Sequence, residues 1–191
     1  ISDLFADNYY GYFADLCHQH GLEFLTEPYT SCFEGLQVGA KADIPMAEFW
    51  CDGSYSFSMR LAASLAHIHG RPIAAAEAFT AGPELSRWLH HPGSLKRVGD
   101  LAWSEGINRF VISAYAHQPW RDLEPGMNFG QYGIQFERTT TWWKPGSAWL
   151  KYIARSQFLL QSGEFSADVL CFAGNAAPNG AADRDDVKAA G

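Results

Sequence analysis

The chain has 191 residues, of which 47% are hydrophobic and 15% aromatic, so it can bury a hydrophobic core. Disorder is therefore excluded for all of the chain except its two ends. Its formal net charge is −7 at pH 7, and its 14 Lys and Arg residues are scattered, which argues against a nucleic-acid partner because phosphate binding needs clustered cations. The sequence contains no 18-residue apolar stretch, so we expect no membrane span.

The first residues and the cysteines carry little functional information. The sequence opens with Ile1 rather than Met and lacks a basic leader segment, so we interpret its start as lying inside a longer chain. The four cysteines show neither a Cys-x-x-Cys motif nor a regular spacing, so they predict neither a zinc site nor a disulfide framework.

Strands and helices alternate along the chain. Apolar runs predict five strands, at residues 22–29, 44–50, 72–79, 107–116 and 167–172. Apolar residues at helical spacing predict helices at residues 4–20, from about 55 to 69 and at 139–161, with short helices within 83–106. A Gly-rich loop at 125–133 is long enough to be functional.

This alternation predicts an α/β fold with parallel strands and crossover helices. A complete (β/α)8 barrel needs about 250 residues, so five strand units indicate a partial (β/α)8 TIM barrel with two open sheet edges. We therefore expect a partial catalytic domain at residues 1–173 and a tail or truncated continuation at 174–191, where Ala, Asn, Asp and Gly accumulate.

Three glutamates lie at the ends of predicted strands. Glu27, Glu48 and Glu77 each end an apolar run, at intervals of 21 and 29 residues, and each is followed within two residues by an aromatic side chain. Carboxyl ends of parallel strands share one edge, so we expect these carboxylates to lie together. A salt-bridged structural role is the alternative for any one of them. Tyr29 and Trp50 are candidates for contacts with the apolar face of a sugar.

Other polar residues give weaker signals. Glu137 lies at the predicted start of a helix, where a structural role as a first-turn anion is the better interpretation. The His-x-His pairs at 18–20 and 67–69 precede glycines at predicted helix ends, which favours capping over metal binding. His117 ends a strand, so a core position and a hydrogen bond to substrate or carboxylate are both open.

Most glycosidases use two carboxyl groups for catalysis. One protonates the leaving oxygen, and the other activates water or attacks the anomeric carbon. The sequence has no Gly-x-Ser-x-Gly motif, P-loop or Gly-x-Gly-x-x-Gly motif. The nucleophile elbow of α/β-hydrolases and the usual nucleotide-binding loops are therefore excluded.

Six blocks resemble the catalytic region of the large bacterial α-L-rhamnosidases of the glycoside hydrolase class, in the same order. They are residues 42–50 (ADIPMAEFW), 75–81 (AAEAFTA), 107–111 (INRFV), 115–120 (YAHQPW), 136–143 (FERTTTWW) and 167–172 (ADVLCF). The resemblance covers about residues 1–178. It implies a (β/α)8 domain that removes terminal α-L-rhamnose from plant polysaccharides or glycosides with inversion. It also implies action outside the cytoplasm, in the periplasm or as a secreted protein.

The resemblance also implies residue roles. It gives Glu27 the acid role and Glu77 the base role, with Glu48 as the alternative partner. Four further side chains would shape the sugar subsite: Arg109, His117, Gln118 and Trp120. The sequence requires no cofactor, and calcium is the metal that the resemblance would allow.

Two alternatives remain open at this stage. One is a sugar-binding or self-associating barrel fragment without catalysis, which would pair its open sheet edges. The other is a barrel hydrolase that acts on a different sugar, because every feature except the six blocks would be the same.

Overall fold

A computed structural model describes residues 1–29, 32–127, 131–172 and 174 of the protein. The chain begins with helix α1, a π-helical segment and helix α2, and strands and helices then alternate. The elements are α1 (Ser2–Phe5), the π-helical segment (Ala6–Gly11), α2 (Tyr12–Gln19), β1 (Leu25–Thr26), α3 (Gly35–Gly39), β2 (Ile44–Trp50), α4 (Ser56–Ile68), β3 (Ala75–Thr80), α5 (Pro92–Ser104), β4 (Arg109–Ile112) and α6 (Ser147–Gln161). None of the described helices has both the length and the apolar character of a membrane span.

The four strands form one parallel sheet in the order β1-β2-β3-β4. Helices α3, α4 and α5 connect successive strands. Each strand therefore lies beside its neighbour in sequence, as in an arc of a (β/α)8 barrel. The predicted α/β fold with parallel strands is confirmed, while closure of the arc into a barrel stays a prediction.

The fifth predicted strand, at 167–172, is wrong. Residues 163–172 pair with no strand in the described part of the chain, and Val169, Leu170 and Phe172 are 73%, 85% and 87% exposed. An apolar run becomes a strand only where a neighbouring strand satisfies its backbone groups. The predicted tail, 174–191, lies outside the described residues except for Gly174.

The predicted long helix at 139–161 begins too early. Helix α6 starts only at Ser147, and residues 138–146 form turns. Pro145 has no N–H and its ring clashes with the preceding helical turn, so the helix starts after it. Glu137 is therefore not a first-turn residue of a helix.

One face of the sheet packs against the helices. Small strand residues such as Ala47, Ala76 and Ala78 are fully buried there. An aromatic cluster fills the space between sheet and helices, with Phe79 in edge or tilted contact with Phe49, Phe110 and Trp149 at centroid distances of 5.1–5.5 Å. The cluster thereby joins β2, β3 and β4 to α6.

The opposite face changes character along the strands. Ile44, Met46 and Ala75 form a small apolar cluster near the strand starts. Side chains two residues apart share a face, so Glu48 follows Met46 and Glu77 follows Ala75 on this same face. An apolar layer therefore supports a carboxylate layer at the carboxyl ends of the strands.

Strand β3 contains an irregularity next to these carboxylates. The register shifts after Phe49, so that Trp50 pairs with Thr80, and Phe79 has a φ of +67°. A bulge of this kind turns the following side chain. Phe79 stays in the aromatic cluster, whereas Thr80 turns to the carboxylate face and donates a hydrogen bond to Glu77.

Candidate active site

Three glutamates meet at the carboxyl ends of β1, β2 and β3. Glu48 and Glu77 are directly opposite each other in the β2–β3 register, and Glu27 follows β1 immediately. Burial raises the pKa of Glu27 to about 7, and the nearby charges of Glu77 and Glu48 add to the rise. The structure thus brings together the carboxylates that the sequence placed at strand ends.

Tyr29 links two of these carboxylates. Its hydroxyl donates to Glu48 Oε2 at 2.7 Å and lies 3.2 Å from Glu27 Oε2. The hydrogen bond from Tyr29 partly opposes the rise in the pKa of Glu27. Burial raises the pKa of Tyr29 itself far above its usual value, so the phenol keeps its proton. Tyr29, predicted as a sugar contact, is therefore also a bridge between carboxylates.

Trp50 holds the other oxygen of Glu48. The Trp50 indole Nε1 donates to Glu48 Oε1 at 2.5 Å, and the ring stacks on Tyr55 with a centroid distance of 5.3 Å. Both carboxylate oxygens of Glu48 therefore accept hydrogen bonds from aromatic side chains. This arrangement orients Glu48, because a donor holds each of its oxygens.

Glu77 is less restrained than Glu48. Thr80 Oγ1 donates to Glu77 Oε1 at 2.6 Å, while Glu77 Oε2 has no hydrogen-bond partner among the described residues. One oxygen of Glu77 is thus positioned and the other is available to water or substrate. Glu27, with its raised pKa, and Glu77, with one available oxygen, are suited to the acid and base functions that hydrolysis of a glycosidic bond requires.

The remaining predicted sugar contacts occupy two different places. His117, Gln118 and Trp120 lie in the segment after β4, where the His117 and Met127 backbones pair and Gln118 Nε2 donates to Pro125 O at 2.7 Å. Trp120 is 59% exposed. Arg109 opens β4 and pairs with Ala75, one step below the Glu77 layer. Gln118 therefore stabilises its own loop. The sugar-binding roles of these four side chains stay predictions.

Sequence reasoning undervalued Glu137. This residue is completely buried, and its Oε1 accepts hydrogen bonds from Thr139 Oγ1 at 2.8 Å and Trp88 Nε1 at 3.2 Å. Its Oε2 is buried without a hydrogen-bond partner in the described part of the chain. The sequence signal was its place in the aromatic block at 136–143, whereas Trp88 had no signal at all.

One histidine of each His-x-His pair contacts another side chain. His18 pairs with Asp43 at 2.8 Å, and His67 stacks on Phe165 with a centroid distance of 3.4 Å. Within residues 1–29, 32–127, 131–172 and 174, no group of three or more His, Cys, Asp and Glu side chains is placed to hold a metal ion. Calcium, which also takes backbone and amide oxygens, stays a prediction.

Comparison with known proteins gives the family. The model of glycoside hydrolase family 106, described as alpha-L-rhamnosidase, matches residues 1–189. The chain belongs to this family. The fold agrees with the match, because the rhamnosidase structure from Novosphingobium sp. PP1Y superimposes with a TM-score of 0.78 and 35% sequence identity over 85% of the chain. The six sequence blocks thus indicated the correct family of glycoside hydrolases.

A further relative has a different name. A Formosa agariphila protein with the provisional name beta-glucuronidase is 50% identical over 181 residues, which is 94% of this chain. The chain spans only 15% of that protein and 16% of the Novosphingobium rhamnosidase. The match therefore gives a family of glycoside hydrolases, which suggests action outside the cell, while the activity of the whole protein, its sugar and its mechanism are matters of proposal.

Proposed function

We propose that this chain forms the part of an α-L-rhamnosidase that carries its catalytic carboxylates, and that the enzyme hydrolyses terminal α-L-rhamnosyl linkages with inversion. The observation that carries the proposal is the raised pKa of Glu27, about 7, beside two further strand-end glutamates. A carboxyl group with this pKa holds a proton near neutral pH and can still release it, which is the requirement for a general acid.

Glu27 is the proposed acid. Its proton passes to the glycosidic oxygen as the bond between that oxygen and the anomeric carbon breaks, so the leaving group departs as a neutral alcohol. The neighbouring negative charges of Glu77 and Glu48 help to keep the proton on Glu27 until substrate binds. Glu27 is then left as a carboxylate.

Glu77 is the proposed base. Its free Oε2 accepts a proton from water as the water oxygen attacks the anomeric carbon from the opposite face. The product is free rhamnose, and Glu27 regains and Glu77 releases a proton through solvent. Glu48 remains the alternative partner, but both of its oxygens already accept hydrogen bonds, which favours an orienting role for it.

Charge favours a neutral sugar over a glucuronide. Glucuronate carries a carboxylate, which the cluster of Glu27, Glu48 and Glu77 would repel. Rhamnose is neutral and has a methyl group at C5, which suits the aromatic surroundings formed by Tyr29, Trp50, Tyr55 and Phe57. A carbohydrate with terminal rhamnose is therefore the proposed substrate, as in plant polysaccharides and glycosides.

Calcium and cellular location complete the proposal. Calcium would need ligands in addition to the described acidic side chains, and the acid and base steps above use only the glutamates. Loss of activity on chelation and its recovery with Ca²⁺ would establish a calcium requirement. The proposed location is the periplasm or the extracellular medium, in keeping with the family.

The test is release of nitrophenol from an aryl α-L-rhamnoside, with the matching aryl β-glucuronide as the competing substrate. We expect the complete protein to cleave the rhamnoside, and proton NMR to detect the inverted anomer of rhamnose first. Preferential cleavage of the glucuronide would reject the proposed sugar. First appearance of the retained anomer would reject the proposed mechanism.

The 191-residue chain alone tests the alternative function. A folded chain that binds rhamnosides but does not cleave them would be a sugar-binding fragment. Concentration-dependent dimers in size-exclusion chromatography would indicate self-association through the open sheet edges. Turnover by the chain that disappears in Glu77→Gln would show that these strands are sufficient for catalysis.

A further inference from the structure

Trp88 is an exposed aromatic residue that buried side chains hold at two points. It lies in the connection between β3 and α5, and 50% of its surface is exposed. Its backbone N–H donates to Gln135 Oε1 at 2.8 Å, and its indole Nε1 donates to Glu137 Oε1 at 3.2 Å. Gln135 is 9% exposed and Glu137 0%. The indole is therefore fixed in direction although one part of it faces solvent.

The structure maintains this position at an energetic cost. Arg87 and Trp88 have φ values of +45° and +57°, and left-handed backbone is unfavourable for two successive residues with side chains. Glu137 also keeps Oε2 buried without a hydrogen-bond partner among the described residues. Core packing does not explain these costs, because it would bury the ring rather than leave half of it exposed. Strained, anchored residues of this kind are concentrated at binding sites.

Trp88 lies at the same end of the sheet as the three glutamates. Its loop leaves the carboxyl end of β3, and Ser86 Oγ in that loop donates to Gln131 O at 3.0 Å. Next to Gln131, the ring of Tyr132 lies 6.2 Å from that of Trp50. Trp50 in turn donates to Glu48. A series of contacts through Ser86, Tyr132 and Trp50 therefore connects the Trp88 loop with the carboxylates.

We propose that the exposed face of Trp88 is a stacking platform for a second sugar of the substrate, with Gln135 and Glu137 as its positioning residues. The apolar C–H face of a pyranose packs well on an indole ring. The bound sugar would lie on the leaving-group side, because a terminal rhamnose has no further sugar on its other side. This inference rests on the proposed glycosidase function and adds the recognition of an oligosaccharide.

The experiment compares two substrates in the complete protein. α-L-Rhamnosyl fluoride has no leaving-group sugar, whereas a rhamnose-terminated oligosaccharide has one. We expect Trp88→Ala to raise KM for the oligosaccharide about 3- to 10-fold with little change in kcat, and to leave kcat/KM for the fluoride unchanged. Leu89→Ala is the matched control, because Leu89 is an exposed apolar side chain in the same loop at 60% exposure. Leu89→Ala should leave KM and kcat/KM unchanged for both substrates.

Two further variants separate stacking from folding. Trp88→Phe keeps a smaller ring and loses the indole N–H, so KM for the oligosaccharide should lie between the wild-type and Trp88→Ala values. Glu137→Gln should raise the same KM and leave the fluoride unchanged if Glu137 acts through Trp88. The platform would be overturned if Trp88→Phe and Trp88→Ala lowered kcat/KM equally for both substrates, or lowered it for neither.

Calorimetry keeps this test separate from the proposed reaction. If the wild type cleaves neither rhamnoside, the proposed function fails, and oligosaccharide binding is measured directly by titration. Binding that weakens in Trp88→Ala but not in Leu89→Ala would still support the platform. Binding that is equal in both variants, or absent in the wild type, would overturn it.

Discussion

The Tyr29 hydroxyl lies 2.7 Å from Glu48 Oε2 and 3.2 Å from Glu27 Oε2. A phenol has one hydrogen to donate, so at any moment it serves one carboxylate fully. The shorter distance to Glu48 makes that contact the stronger one, and the longer contact donates to Glu27 and partly lowers its raised pKa. Tyr29 thus holds Glu48 more firmly than it holds Glu27, the glutamate whose pKa burial raises to about 7.

Tyr29→Phe should change the pH dependence of the reaction. The Tyr29 hydrogen bond lowers the pKa of Glu27, so its removal should move the alkaline limb of kcat/KM to higher pH. Loss of a hydrogen bond to Glu48 should also reduce kcat/KM about tenfold. Tyr55→Phe is the control, since Tyr55 contacts the Tyr29 ring and its hydroxyl has no partner among the described residues. An alkaline limb that stays in place would contradict the link between Tyr29 and Glu27.

Glu27→Gln should alter how stability depends on pH. The folded-state pKa of Glu27 is about 7, above the value of about 4.3 for an unfolded chain, so the folded state holds the extra proton between these values. Wild-type stability from this group is fully present below pH 4.3 and is lost as the pH rises through 7. The free energy of unfolding of Glu27→Gln, relative to that of the wild type, should therefore increase by about 1–2 kcal/mol from pH 4 to pH 8. This energy already allows for solvent screening of a partly exposed group.

Urea unfolding of both proteins at several pH values measures this effect. Glu23→Gln is a suitable control, because Glu23 is an exposed glutamate close in sequence. A stability difference between wild type and Glu27→Gln that does not change with pH would show that Glu27 keeps an ordinary pKa.

Glu77→Gln should abolish turnover and leave folding intact. The amide cannot accept the proton of the attacking water, so kcat should fall about 10²- to 10⁴-fold. Thr80→Val removes only the hydrogen bond to Glu77 Oε1 and should reduce kcat about 3- to 10-fold. Aryl rhamnoside kinetics and thermal unfolding measure both variants. Retention of most activity in Glu77→Gln would remove Glu77 from the catalytic pair.

Phe79→Ala should destabilise the protein by about 3–5 kcal/mol, because Phe79 is 1% exposed and contacts three other aromatic rings. Activity should fall as well, since Phe79 sets the bulge that directs Thr80 to Glu77. Phe158→Ala is the control at 71% exposure and should stay within about 0.5 kcal/mol of the wild type. Urea unfolding gives both values, and equal losses in the two variants would contradict this role of Phe79.

Local pattern was sufficient for the central strands and their glutamates. The predicted strand at 44–50 is observed over the same residues, and the strand at 72–79 differs by only a few positions. Strict alternation of strands and helices permits few topologies, so parallel pairing and a shared carboxylate edge followed directly. The fifth strand failed because strand formation also depends on a partner strand, which an apolar run does not specify.

The sequence by itself determined the family, the parallel α/β sheet and the edge at which Glu27, Glu48 and Glu77 gather, because side-chain period and connection order depend on local chemistry. Only the tertiary structure decided the raised pKa of Glu27, the bridging position of Tyr29 and the burial of Glu137 under Trp88. These properties depend on which groups are brought close together and how much water they lose. Residues distant in the sequence set both quantities, so no local pattern contains them.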